Sequence, residues 1–242
     1  MWANGHLFAQ QVEDSFMCSR FTITSHPNAV REYFNYANRE EFPPRYNIAP
    51  SQPVPIVHEA DNGRRELMLV RWGLIPGWVK DPDDFSTLVN ARSETVMVKP
   101  SFKNAIKHRR CLIPADGFYE WQGARGQKRP YFIKPENGGP IAFAGIWEDW
   151  MGAEGPEMYS MAILTCDAVG AVAKVHNRMP VVVDPKHFDD WLDCKNVRAD
   201  EALKIVSGGG GVSFDVEEIN PRVNNPRNDD ADVQKPVQGS LF

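Results

Sequence analysis

Short apolar runs broken by turn residues make up most of this chain. RFTIT, VPIVH, ELMLVRW, RRCLIPA, PYFIK, IAFAGIW, YSMAILT and MPVVV are each bounded by Gly, Pro or Asn, the pattern of strands joined by tight connections. VSFDVEEI supplies one more near the end. Helical spacing is rarer. HPNAVREYFNYA places Pro27 in a first turn and Val30, Phe34 and Ala37 on one face. SFKNAIKH, DPKHFDDWLD (with Asp184 as its cap) and DEALKIV predict short helices, and AVGAVAKV is helix-like. Strands and helices do not alternate regularly, which predicts a β-rich α+β domain rather than a doubly wound sheet. SGGGG, Ser207 to Gly211, reads as a flexible link. From Asn220 the chain is polar and rich in Pro and Asp, an ordered loop giving way to a disordered tail. The expected organisation is an extension over 1–17, one domain over 18–227 and a flexible tail over 228–242.

Composition narrows the class. With 242 residues, 42% hydrophobic and 24% charged, the chain can bury a substantial core and has ordinary globular composition. No run approaches the roughly 18 apolar residues of a membrane span, so no membrane partner is expected. The first sixteen residues lack a basic start and an apolar run and carry Glu13 and Asp14, unlike a secretory signal. Cys18, Cys111, Cys166 and Cys194 lie far apart without CxxC or CxxH, so neither a zinc site nor a disulfide framework is indicated. A reduced, cytoplasmic protein is expected. Net charge is −5, yet residues 88–134 hold ten Lys/Arg against three acids. That asymmetry reads either as a phosphate-attracting field or as a solvated Lys-rich face.

Four clusters mix apolar residues with polar groups that a core does not need. Cys18 with Arg20 is either a buried small hydrophobe or a nucleophile, and the preceding Met17 favours the second. In LVNARSET, Asn90 and Arg92 would share a face on a strand, Arg92 offering a fork suited to phosphate or to Glu94. In CLIPADGFYEW, Glu120 stands among Phe118, Tyr119 and Trp121. It is either desolvated with a raised pKa, fit for acid–base work, or turned outward while the aromatics turn in. In KVHNRMPVVV, His176 precedes Arg178 at a helix-to-strand junction, where site residues collect.

MCSRF, RYNIAPSQ, RWGLIPGW, NARSET, RRCLIPADGFYEW, PYFI, IAFAGIWE, ILT and HNRMP occur in the order and spacing of the SOS-response-associated peptidase family, the abasic-site processing proteins, which this chain resembles over roughly residues 17–227. The resemblance implies a curved, barrel-like, mostly antiparallel sheet with peripheral short helices, a basic groove for single-stranded DNA, and no metal or organic cofactor. It implies covalent crosslinking to abasic sites through an N-terminal cysteine, here Cys18, with Asn90, Glu120 and His176 at the active-site positions. Arg20, Asn47, Arg92, Thr165 and Arg178 match DNA-contacting or site-shaping positions. Pro50 and Trp78 match residues that press on the bases beside the lesion. Lys99 is the nearest match to a further basic position. Ser19 stands where the family has Gly, and Val79 where some members have a second Trp.

The chemistry suits the residues. A terminal cysteine carries an α-amine, which titrates near 8 against about 10.4 for lysine, and a thiol in ring-closing reach. The amine can form an imine with the aldehyde of an open abasic sugar, and the thiol can close a thiazolidine that prevents strand scission. On this chemistry His176 is expected to assist opening of the sugar ring, Glu120 to shuttle protons at the amine and imine, Asn90 to orient the cysteine or sugar, and Arg92 to hold a flanking phosphate. Cys18 must then lose what precedes it. Translation from Met17, with the upstream residues a gene-model artefact, is the expectation, and self-cleavage before Cys18 is the alternative. Two other functions remain open: a thiol peptidase with Cys18 as nucleophile and His176 as base, and a non-catalytic single-strand-binding module. The chain ends QGSLF, and Gln238, Ser240, Leu241 and Phe242 resemble the bacterial sliding-clamp-binding peptide, with Gly239 a departure. The expected state is a monomer.

Overall fold

The computed structural model describes residues 18–124, 126–151, 158–207 and 211–237. The strands are β1 (Phe21–Ile23), β2 (Arg45–Ile48), β3 (Pro53–Glu59), β4 (Arg65–Trp72), β5 (Asn90–Arg92), β6 (Arg110–Ala115), β7 (Gly117–Gln122), β8 (Arg129–Pro135), β9 (Ile141–Trp150), β10 (Met158–Asp167), β11 (Arg178–Pro180) and β12 (Phe214–Glu218). The helices are α1 (Pro27–Phe34), α2 (Ala105–His108), α3 (Phe188–Leu192) and α4 (Ala199–Val206).

Two sheets form. The five-stranded sheet runs β12-β8-β7-β1-β2. The seven-stranded sheet runs β11-β10-β4-β3-β6-β9, with β9 pairing back onto β10 and β5 added beside β10, so its central strands close into a ring. Pairing is antiparallel except where β10 meets β4 and β5. The expected β-rich, curved and mostly antiparallel architecture with short helices is what forms. The core lies between the sheets: Phe21 of β1 meets Trp72 of β4 edge-on at 5.1 Å, and Phe118 of β7 meets Phe143 of β9 at 5.9 Å. Gly117 opens β7 because a Cβ there would stand 2.6 Å from the Ile133 carbonyl oxygen, inside contact distance of β8.

The helices have local causes. His26 accepts the Asn28 N–H at the start of α1, Pro27 follows, and Asn35 ends it in the left-handed region at φ 51°. Asp184 caps a 3₁₀ turn leading into α3, as its sequence predicts. Several expectations are corrected. RYNI, NAR and GFYEWQ are strands that apolar patterning did not single out. AVGAVAKV contains only a 3₁₀ turn, Val172–Lys174, since Gly170 adopts φ 59° just before it.

The start of the expected tail also differs. Residues 228–237 pack on the domain: Val233 is buried, the Asp229 carboxylate accepts the Tyr46 and Asn47 N–H groups and pairs with Arg45, and Gln234 donates to the Tyr119 hydroxyl at 2.9 Å. A low apolar content is overcome here by side-chain anchoring of backbone. Gln238, Leu241 and Phe242 lie outside the described residues. Among the described residues, no helix is long and apolar enough to cross a membrane.

Candidate active site

The site begins with register. Phe21 pairs with Phe118 and Thr22 with Gly117, and the Tyr119 N–H continues the pairing to the Arg20 carbonyl at 3.0 Å. Antiparallel counting therefore brings the residues just before β1 alongside Glu120. The Cys18 backbone nitrogen donates to Glu120 Oε1 at 2.8 Å, across 102 positions of chain. Both residues are buried, and Cys18 holds a left-handed φ of 44°.

Burial dominates their electrostatics. Desolvation pushes the Glu120 carboxyl up to about 8, against the N–H bonds from Cys18 and Trp121 and the charge of Lys128, which pull it down. Burial pushes the Cys18 thiol well above its ordinary value, with the Glu120 charge adding to the rise. Of the two readings of Glu120, the inward, desolvated one is the structure's. Phe118 shares its strand face, and both are buried.

Glu120 lines a cavity of about 320 Å³ together with Arg20, Trp121, Lys128, His176 and Asn224. His176 follows the Val172–Lys174 turn, and its Nδ1 accepts the Arg178 backbone N–H at 3.1 Å. The same Nδ1 lies 3.2 Å from the Arg178 carbonyl oxygen, so residue 178 holds that edge of the ring through its backbone. Arg20 donates to Asn47 Oδ1 at 2.9 Å and to the Val223 carbonyl at 2.9 Å, and its guanidinium lies over the Trp121 ring. Asn47 is fully buried, with Nδ2 donating to the carbonyls of Val223, Asn225 and Asn228. It lies behind the cavity, holding Arg20 and the 223–228 loop in place, and does not face solvent. Asn224 in turn accepts the Trp121 indole N–H at 2.7 Å.

The other sequence-derived residues divide. Asn90 and Arg92 do share a face of β5, with buried Ala91 between them, and Arg92 is exposed. Neither is among the residues lining the cavity. Thr165 is buried opposite Arg92. The Arg178 guanidinium, expected at DNA, is buried and committed to Glu94 at 2.6 Å, Asp167 at 2.6 Å and the Thr165 carbonyl at 2.7 Å. Trp78 is 60% exposed and meets Phe85 edge-on. Pro50 is half-buried in the turn after β2, and Lys99 is exposed.

The basic segment is dispersed by folding. Arg110 is buried, donating to the carbonyls of Ile106, Trp191, Asp193 and Val197, while Arg109 pairs with Glu148 and Asp149. Among the described members of the segment, Lys128 reaches the cavity, and only the charge asymmetry marked it. Nothing local in the sequence marked Asn224. Among the described residues no three His, Cys, Asp or Glu side chains converge as metal ligands.

Two curled sheets with a cysteine nitrogen held on a buried carboxyl define a class, and the family profile agrees with it. The SOS response associated peptidase (SRAP) profile matches residues 17–226, and the chain belongs to that family. It is similar to the abasic site processing protein YoqW of Bacillus subtilis (strain 168), 35% identical over 222 residues that cover 90% of this chain and 98% of that protein. It is similar to the abasic site processing protein HMCES of Rattus norvegicus, 33% identical over 246 residues covering 86% of this chain and 69% of that protein. Among solved structures, a phage-related protein from Bordetella bronchiseptica matches with TM-score 0.68 and 30% identity over 84% of this chain and 94% of its own. A Bacteroides thetaiotaomicron protein shares the fold with TM-score 0.78 at 22% identity, covering 91% of this chain and 100% of that one.

Proposed function

We propose that this chain processes abasic sites in single-stranded DNA by covalent capture, with Cys18 as the first residue of the active protein. The observation that carries this reading is the 2.8 Å contact between the Cys18 nitrogen and the buried Glu120 carboxyl. The relatives named as abasic site processing proteins supply the substrate class.

The neutral amine of Cys18 attacks C1′ of the open-chain sugar, forming the C–N bond while the carbonyl oxygen takes a proton. That oxygen leaves as water and gives an imine. Sγ then attacks the same carbon, the thiol proton passes to nitrogen, and a thiazolidine results. The net change is aldehyde, amine and thiol to thiazolidine and one water. Burial pushes the Glu120 carboxyl up while the terminal amine beside it, when charged, draws it back down, so Glu120 can both accept and return protons at the atom where they are needed. His176 donates a proton to the ring oxygen as the sugar opens. Asn90 orients the sugar or the cysteine. Arg20, Arg92, Lys99 and Lys128 attract flanking phosphates, and Pro50 and Trp78 receive the adjacent bases.

The test uses protein that begins at Cys18 and an abasic oligonucleotide. A heat-stable adduct is expected, with the summed mass less one water. Cys18→Ala gives none, and Glu120→Gln slows its formation by roughly 10²-fold. Peptide hydrolysis without an adduct would favour the thiol peptidase, although a thiol pushed up by burial is poorly suited to act as a thiolate. Clamp binding through Gln238, Leu241 and Phe242 belongs to the same proposal and is checked by deleting residues 238–242.

A further inference from the structure

We propose that Gln122 is a positioning residue that holds His176 in register with Glu120 across the seam between the two sheets. The proposal rests on the reading of His176 as the proton donor to the sugar ring.

Glu120 stands on β7 of the five-stranded sheet, whereas His176 follows a turn that leaves β10 of the other sheet. The two line one cavity, yet no strand pairing joins β7 to that turn among the described residues. Gln122 makes the connection. It lies two residues beyond Glu120, on the same face of β7. Its Nε2 donates to the Lys174 carbonyl at 2.6 Å, two residues before His176.

The amide is oriented for this. Its Oε1 accepts from Arg129 Nη2 at 3.2 Å and from the Tyr131 hydroxyl at 3.2 Å, so the amino end must face Lys174. Arg129 and Tyr131 both reach the Glu218 carboxylate, at 3.0 and 3.2 Å. The anchor thus spans β7, β8 and β12. On the far side, the Val172 carbonyl takes the N–H groups of both Val175 and His176, so the turn moves as a unit with the histidine backbone. The imidazole is then held at two ends: through its backbone by Gln122, and at Nδ1 by the Arg178 N–H. A displacement of about 1 Å in such a donor can lower a rate by up to about 10²-fold.

The experiment uses the chain beginning at Cys18. Gln122→Glu keeps the acceptor that Arg129 and Tyr131 need and removes the donor to Lys174, and Gln122→Met serves as an uncharged second variant. Single-turnover adduct formation is measured at saturating DNA on two substrates: an abasic oligonucleotide, and one bearing an acyclic aldehyde with no ring to open. Both variants should be about ten- to fifty-fold slower on the sugar. Both should stay within about twofold on the acyclic aldehyde and in binding undamaged strand, because ring opening alone depends on His176. Gln122→Lys, which restores a donor, should recover part of the rate. Variants that match the parent on the sugar, or are equally slow on both substrates, overturn the proposal. His176→Ala separates the two levels. If it slows both substrates alike, the reading of His176 falls and this proposal with it. If it is selective for the sugar while the Gln122 variants are not, only the role of Gln122 falls.

Discussion

Glu120→Gln should erase a pH dependence of stability in the chain that still carries a peptide bond at Cys18. Burial lifts the Glu120 carboxyl from 4.5 to about 8. Below pH 4.5 it is protonated whether the chain is folded or not, and its contribution is complete. As pH rises, the unfolded chain releases its proton first while the folded chain holds it, so stability falls until pH passes about 8. At about 1.36 kcal/mol per pH unit, the gap amounts to about 5 kcal/mol. Glutamine has no proton to hold. Urea unfolding of both proteins from pH 5 to pH 9 should therefore give curves that diverge, the parent losing stability relative to the variant by up to about 1.4 kcal/mol per pH unit. Parallel curves would refute the buried-carboxyl argument. In protein that begins at Cys18, an ammonium replaces the amide beside Oε1 and favours the ionised carboxylate, so the divergence should shrink.

Three further outcomes are expected. Asn47→Ala removes three donations to carbonyls and the acceptor for Arg20, and should cost about 2–4 kcal/mol in thermal or urea unfolding while slowing adduct formation. Trp78→Ala should weaken single-strand binding by about 1–3 kcal/mol, read by fluorescence anisotropy, with the melting temperature unchanged because the side chain is 60% exposed. Arg178→Ala should lower the melting temperature by leaving the buried Thr165 carbonyl unmet and by removing the pairs with the solvent-exposed Glu94 and Asp167 carboxylates. It should leave the salt dependence of DNA binding unchanged, whereas loss of a true phosphate contact would lower that slope by about one.

Much of the sheet was legible because β3, β4, β6, β8, β9 and β10 carry apolar runs that turn residues delimit, as Asp61, Asn62 and Gly63 do between β3 and β4. β2 was not, because RYNI gains its burial from the loop at residues 223–228, far along the chain. Glu120 was recognisable as a carboxyl among aromatics, but its face depended on which neighbour β7 would take, and period-2 alternation alone cannot say that both faces are covered. The charge-rich segment was visible, and its meaning was not. Arg110 closes the carbonyl ends around α3, whereas Lys128 reaches the cavity, and the two differ in tertiary neighbours rather than in local pattern. Arg178 followed the family pattern to a DNA role, and the two carboxylates that enclose it come from different strands and turns.

The backbone at Cys18 has a last implication. A left-handed torsion on a residue with a side chain stores roughly 1–2 kcal/mol, and that torsion exists only while another residue is attached upstream. Once the nitrogen is a terminus, the angle is undefined and the stored energy is gone. Trimming at this junction would release that torsional energy and would set it against the cost of a terminal ammonium in a buried site, which the Glu120 carboxylate beside it offsets.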